Sequence, residues 1–250
     1  MVAAWARMFA RFLQPGKAQF GAPFRRALEA LVRDGDTVNI LQAGANDGVI
    51  KDPLHRFLRA HPDRTQIILV EPQVALIPAL TDAYVFHPRH AMVPVAVGAA
   101  GTLVLRKVRV DCWPDLVLGY GKDWPAYRAP TGVASGQRET LLLWVDRHCR
   151  GQLAAKDVIE TVEVESVPTA TLMARTGLFD RLDVLQIDVE GCDDLVVRAS
   201  DIAGLQPKLI HFEAAHLSAA RLILICAELE GFGCETRQHG PDCLATRRKA

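Results

Sequence analysis

No excess of charge, no paired-cysteine motif and no long apolar run marks this chain of 250 residues. Lys and Arg number 29, Asp and Glu also 29, so the formal net charge is zero. Such a balance gives no general electrostatic pull toward nucleic acid or anionic membranes, though a local basic patch stays open. The six cysteines, Cys112, Cys149, Cys192, Cys226, Cys234 and Cys243, contain no C-x-x-C pair. In a chain this long, that pattern suits buried thiols in a reducing, cytoplasmic setting better than disulfides or zinc. No stretch of about eighteen apolar residues occurs, so no transmembrane helix is expected. The opening "MVAAWARMFARFLQPG" has no continuous apolar core, because Arg7 and Arg11 interrupt it and Pro15-Gly16 stops it. It reads as an amphipathic helix packed on the body rather than a signal peptide. Internal repeats and low-complexity segments are absent as well.

What is there is half hydrophobic, enough for a sizeable core. Residues 1–35 read as a helical segment, in which Phe24, Leu28, Leu31 and Val32 recur at helical spacing before Gly35. Strands and helices then alternate. "TVNILQ" is a strand, and "PLHRFLRAH" is a helix with Asp52 as N-cap and Pro53 at its first position. "TQIILVE" is a strand buried on both faces. "PQVALIPALTDAY" is a helix distorted at Pro78, and "AMVPVAVG" a third strand. After the extra strand "GTLVLRKVRV", residues 111–150 read as an insertion over the sheet. It carries Trp113, Trp124 and Trp144 with Tyr120 and Tyr127, and its rings suit an acceptor lid or plain packing onto the sheet. "ETVEVESVP" is expected to return the chain to the sheet. Alternation resumes with "RLDVLQIDVEG", "DDLVVRAS", "PKLIHFE" and a helix from Ser218, then a hairpin around "HGPD". Right-handed crossovers make the alternating strands parallel. The expected fold is a single α/β domain over residues 1–250: a Rossmann-like, mostly parallel sheet with helices on both faces and an antiparallel C-terminal hairpin.

Ligands of open parallel sheets bind beyond the carboxyl ends of the strands, near the topological switch point. The first strand ends in Gln42-Ala43-Gly44-Ala45-Asn46-Asp47-Gly48. A full G-x-G-x-x-G would place glycine at 46 and 49, where this chain has Asn46 and Val49. Asn tolerates positive φ, so the turn survives, but a pyrophosphate seat is not evident. Glu71 ends the second strand, 27 positions after Gly44, where a carboxylate can accept both hydroxyls of an adenosine ribose. Asp188 leaves the core at the end of the fourth strand, while Asp193 and Asp194 suit a helix N-terminus. Alternation puts His211 and Glu213 on one face of the fifth strand, with His216 in the loop beyond. The plainer reading of His211 is a core histidine. Glu213 and Asp188 meet if their strands are neighbours, and then share a proton or bind a cation. His216 beside them suits a general base.

"QAGANDGVIKDPL", "LVEP", "GVASGQRETLL", "SVPTATL", "LDVLQIDVEGCDD" and "PKLIHFE" follow in the order and spacing of the FkbM-like methyltransferases, which the chain resembles over residues 37 to 247. The resemblance implies a class I, S-adenosylmethionine-dependent O-methyltransferase acting on a hydroxyl of a sugar, glycan or secondary metabolite. Under it, Gln42, Gly44, Asn46, Asp47 and Gly48 take the methionine end of the cofactor, Glu71 its ribose and Asp188 the reacting end. Asp188, Glu213 and His216 form the catalytic group, with Glu213 and His216 as base candidates. A Mg²⁺ held by Asp188 and Glu213 is an option of that arrangement. The chain departs from the pattern twice: Gln42 stands where many class I members have an acid, and Cys192-Asp193-Asp194 follow "IDVEG". Asp47 or Asp188 is expected to take over the missing charge. Two other readings stay open, a nicotinamide oxidoreductase and a non-catalytic interaction module.

Overall fold

The sheet follows from the apolar runs. The computed structural model describes residues 22–35, 37–118, 120–148 and 155–248; the helix expected within 1–21, and Cys149, lie outside them. The labelled elements are α1 (Ala22–Arg33), β1 (Val38–Ala43), α2 (His55–Ala60), β2 (Thr65–Val70), α3 (Ile77–Tyr84), β3 (His90–Val93), β4 (Ala96–Val97), β5 (Gly101–Val108), α4 (Arg138–His148), β6 (Ile159–Val167), α5 (Thr169–Thr176), β7 (Val184–Ile187), α6 (Asp193–Ala199), β8 (Leu209–Glu213), α7 (Ala219–Gly231), β9 (Cys234–His239) and β10 (Asp242–Arg247). Seven strands form the main sheet in the order β3-β2-β1-β7-β8-β10-β9. The first five are mutually parallel, and β10 runs antiparallel to both its neighbours. This is the expected Rossmann-like topology with its C-terminal hairpin.

Strand alternation divides the core in two. Ile40, Ile67, Leu69, Val184 and Leu209 face one side, where α1, α2 and α3 bring Phe24, Leu28, Phe57, Leu58 and Tyr84. Leu41, Ile68, Leu185, Ile210 and Phe212 face the other, against Leu172 of α5, Val196 of α6 and Ile225 of α7. Capping agrees with the sequence at α7, where Ser218 Oγ accepts from the Arg221 N–H at 3.3 Å. It agrees in part at α2. Asp52 Oδ1 accepts from the Leu54 and His55 N–H groups at 2.6 and 2.8 Å, but the helix starts at His55 and Pro53 stays outside it.

Three expectations change. "AMVPVAVG" is two strands: Pro94 offers no N–H to a ladder, and the chain breaks there into β3 and β4. β4 leaves the main sheet and pairs with β6 in a second, three-stranded sheet ordered β4-β6-β5. "ETVEVESVP" therefore does not return to the main sheet; its alternating exposed glutamates mark a strand with one wet face. Pro78 does not distort a helix either, because it sits in the first turn of α3, where its missing N–H costs nothing. The insertion packs on β5 and β6 through a small core of its own, Val108, Cys112, Val133, Leu141, Val145 and Val158.

Gly48 fastens the first loop to the helical layer. Its φ is +69°, and an added Cβ would lie 2.6 Å from both Leu80 Cδ1 and Tyr84 Cε2. Overpacking of a core with left-handed backbone costs about 1–3 kcal/mol. Gly48→Ala is therefore expected to lower the unfolding free energy by that amount, seen as a lower urea midpoint with the slope unchanged; a variant as stable as the parent would contradict this packing.

Candidate functional site

The chain runs outward from β1 through β2 to β3, and on the other side from β7 to β8, so the switch point lies between β1 and β7. There the two strand ends touch. The Asp188 N–H donates to the Ala43 carbonyl at 3.0 Å, and the Gly44 and Ala45 N–H groups both donate to the Val70 carbonyl. Gly44 has φ +80°, and a Cβ on it would sit 1.9 Å from the Asp188 carbonyl oxygen. No side chain fits. Asn46 takes φ +48°, the conformation anticipated for an Asn in place of glycine. Above these ends lies an open cleft of about 880 Å³, part of it open to solvent. Gln42, Gly44, Asn46, Glu71 and Asp188 all line it.

Glu71 is buried at the end of β2. Its Oε2 accepts from the Asn46 N–H at 2.8 Å and its Oε1 from the Gln73 N–H at 2.9 Å. Burial pushes its carboxyl above the ordinary range, against the pull of those hydrogen bonds. Gln42 donates through Nε2 to Asp52 Oδ2 at 2.8 Å. Asp52 also lines the cleft, a role its reading as a helix cap did not suggest; burial raises its carboxyl too. The signal was the polar Gln42 at an otherwise apolar strand end, which needs a partner.

Asp47 and Gly48 do not line the cleft. Asp47 is turned into the loop, where Oδ1 accepts from the Val49 and Ile50 N–H groups, each at 3.0 Å. Its Oδ2 lies 3.6 Å from Arg128 Nε, so its charge holds the insertion's arginine. Gly48 is absorbed by the packing against Leu80 and Tyr84.

Beyond β7 and β8 the acids converge. Asp188 opens into the cleft, and burial, Glu190 and Asp193 push its carboxyl well above the ordinary range, with Arg128 opposing. Glu213 stands opposite Asp242 in the β8–β10 register. Burial, then Asp188 and Glu190, push it up to about 10, and its Oε2 is buried without a hydrogen-bond partner. His216 Nε2 lies 3.1 Å from Glu190 Oε2 and 3.7 Å from Glu213 Oε2. The hydrogen bond to Glu190 raises its imidazole above the usual value. Glu190 lines the cleft; Glu213 and His216 are not in the lining and reach it through Glu190. Sequence reading missed Glu190, because a turn residue beside Gly191 carries no pattern. Glu190, Glu213 and His216 bring their ligand atoms within 4.8 Å of one another. This mixed nitrogen–oxygen set differs from the all-oxygen Asp188–Glu213 pair considered for Mg²⁺. Asp193 reaches back to the Gly191 and Val189 N–H groups rather than capping α6, and Asp194 pairs with Arg198 and Arg221. His211 is a core residue, stacked on Phe24 at 4.1 Å and lowered to about 4 by burial.

The insertion forms one wall of the cleft through Arg128, Thr131, Gly132, Ala134 and Gly136. Its tryptophans stay out of the lining. Trp144 Nε1 donates to Tyr120 Oη at 3.0 Å, Trp124 meets Tyr120 edge to face, and Trp113 packs on the small core. Lys51 Nζ lies over Trp124 and Tyr120 at 5.0 and 5.6 Å, tying the first loop to these rings.

Residues 42–229 match the family model of the methyltransferase FkbM domain. No curated protein matches the chain. Among solved structures, similarity extends to a precorrin-6y C5,15-methyltransferase from Geobacter metallireducens, at 12% identity and a TM-score of 0.42 over 96% of this chain and 95% of that one. It extends also to the O-methyltransferase TomG of Streptomyces achromogenes, involved in tomaymycin synthesis and solved with SAM, at 12% identity and a TM-score of 0.40 over 99% of this chain and 89% of that one. A fibrillarin/Nop5p complex contributes a third, at 11% identity and 0.41, over 94% of this chain and 88% of that one. Among the described residues, no helix is long and apolar enough to cross a membrane.

The raised acids give the protein a testable pH dependence. Glu213 holds its proton in the folded state up to about pH 10, while the unfolded chain releases it near the ordinary 4.5. Its contribution is therefore fully present below pH 4.5 and drains away as pH rises toward 10. Asp193, pushed to about 7, and Asp242, pushed to about 6, act in the same direction over narrower windows. The urea midpoint of the ligand-free protein is expected to fall between roughly pH 7 and pH 8.5, and Glu213→Gln to flatten much of that fall. Parallel slopes in the two proteins would assign the effect elsewhere.

Proposed function

The chain belongs to the FkbM methyltransferase family, and from that premise we propose that it carries a methyl group from S-adenosylmethionine to a hydroxyl of a sugar, glycan or secondary metabolite. One observation carries the reading of the cofactor end: Glu71 and the side-chain-free surface of Gly44 line the same cleft at the switch point. S-adenosylmethionine, when bound, supplies an electrophilic methyl group on a sulfonium. Gly44 and Asn46 offer it bare backbone. Glu71 Oε2 spends one lone pair on the Asn46 N–H and keeps another for a ribose hydroxyl, while Oε1 already accepts from both the backbone N–H and the side-chain amide of Gln73. Asp188 faces the reacting end.

A hydroxyl needs its proton removed as it attacks, and placement in line within about 3–3.5 Å of the methyl carbon. His216 suits the base. With its Nε2–H held by Glu190, Nδ1 is left as proton acceptor, and Glu190 stabilises the imidazolium that forms. Glu213, pushed up to about 10 and so still carrying its proton at neutral pH, is the weaker candidate for the base. A divalent cation on Glu190, Glu213 and His216 is a second reading of the same cluster, and it would remove His216 from acid–base work. The insertion, residues 111–150, serves as the acceptor wall of a single domain. Cys192, Cys226, Cys234 and Cys243 are thiols, which supports a reducing, cytoplasmic setting. Against the nicotinamide alternative, α2 begins eleven positions after Gly44, so no helix N-terminus follows the loop at once to seat a pyrophosphate.

Calorimetric titration with S-adenosylhomocysteine tests this. Binding in the micromolar range is expected, weakened about tenfold or more by Glu71→Gln, which loses the charge-assisted bonds. NADH is expected not to bind. Absence of S-adenosylhomocysteine binding by folded protein would reject the reading.

A further inference from the structure

Two buried glutamines lie side by side under the cleft. Gln42 and Gln186 are register partners on β1 and β7, so their side chains leave the same face of the sheet. They are 2% and 1% exposed, and both line the cleft. The Oε1 atom of each is buried and has no hydrogen-bond partner. Buried acceptors are rarely left unpaired, because the desolvation of the oxygen is then uncompensated. Beside them stands the Asp52 carboxylate. Its Oδ1 is occupied by the Leu54 and His55 N–H groups, but its Oδ2 receives only the Gln42 amide and keeps a lone pair. Among the described residues, no lysine or arginine pairs with Asp52; His55 is the charge that acts on it.

This corner of the cleft thus holds two orphaned carbonyl oxygens and one carboxyl oxygen with a lone pair to spare, in a group that a bound cation would ionise. Its complement carries positive charge and several N–H donors. A primary ammonium has three. A hydroxyl offers one donor and no charge. Resting on the cofactor reading above, we infer that Asp52, with the side-chain carbonyls of Gln42 and Gln186, receives the ammonium group of the cofactor's amino-acid end. The uncharged Gln42 then acts as a link: its amide hydrogen holds Asp52 in place, and its oxygen faces the ligand's donors. The negative charge reaches the site from the loop before α2 rather than from the strand end itself.

The test compares two ligands by calorimetry. S-adenosylhomocysteine carries the ammonium; 5′-methylthioadenosine keeps the nucleoside and thioether but lacks the amino-acid end. Asp52→Asn preserves a side-chain oxygen for the α2 cap and removes the charge. It is expected to weaken S-adenosylhomocysteine about 30-fold, the loss of a charge-assisted contact, and to change methylthioadenosine by less than about twofold. Gln186→Met leaves the cap and the charge untouched and is expected to weaken only S-adenosylhomocysteine, by about fivefold. The double variant Gln42→Glu, Asp52→Asn moves the charge to the neighbouring side chain and is expected to restore most of the affinity. Equal losses for both ligands, or none for S-adenosylhomocysteine, in variants with parental melting curves would overturn the inference and leave the methyltransferase reading standing. Failure of the parent protein to bind either ligand would instead remove the reading on which it rests.

Discussion

The site depends on a backbone contact, the approach of Gly44 to the Asp188 carbonyl. With a Cβ position only 1.9 Å from that oxygen, any side chain at 44 would push β1 and β7 apart at their carboxyl ends. Because the strands stay together, Gln42 and Gln186 remain in register, and Asp188 follows β7 into the cleft. The loop that begins at Gly44 is fixed by a few specific bonds. Glu71 holds Asn46, Asp47 closes the turn over Val49 and Ile50, and Asp52 starts α2. A ligand entering this cleft meets groups that are already placed, so little ordering is left for it to supply.

A chain without net charge still builds a site with strong local charge. On top of burial, Glu190, Asp193 and Asp242 raise the carboxyls of Asp188 and Glu213, opposed at Asp188 by Arg128. Carboxylates that crowd together away from water cannot all ionise, so the cluster stores protons at neutral pH. Asp188 and Glu190 follow β7, Asp193 opens α6, Glu213 ends β8 and Asp242 begins β10, where the core no longer requires apolar side chains. The zero balance in the composition conceals this segregation.

The alternation of apolar runs was enough to read the parallel sheet, because strands buried on both faces leave few polar interruptions. Ser218 and Asp52 were legible as caps for the same local reason. The path of the chain after β3 was not. "AMVPVAVG" reads as one strand, yet at Pro94 the chain leaves one sheet for another. Adjacent strand ends made Glu71 and Asp188, which line the cleft, readable from sequence, whereas Glu213 is not part of that lining. Asp47 shows the limit: an acid in a glycine loop looks the same in sequence whether it faces a ligand or closes its own turn. Glu190 and Asp52 were overlooked because their importance comes from what the fold brings to them. The tryptophans of the insertion announced an aromatic cluster but not its orientation, which their own Tyr120 and Trp144 contacts determine.

The break at Pro94 has a mechanical consequence. β3 is a rail of the main sheet and β4 of the small one, and Pro94 and Val95 alone join them. Val95, Ala96 and Val97 also line the cleft. The joint between the two sheets is thus part of the cavity floor, and the small sheet carries the insertion on β5 and β6. Bulk introduced at Val95, Ala96 or Val97 would therefore press at once on the cavity and on the seam between the two sheets.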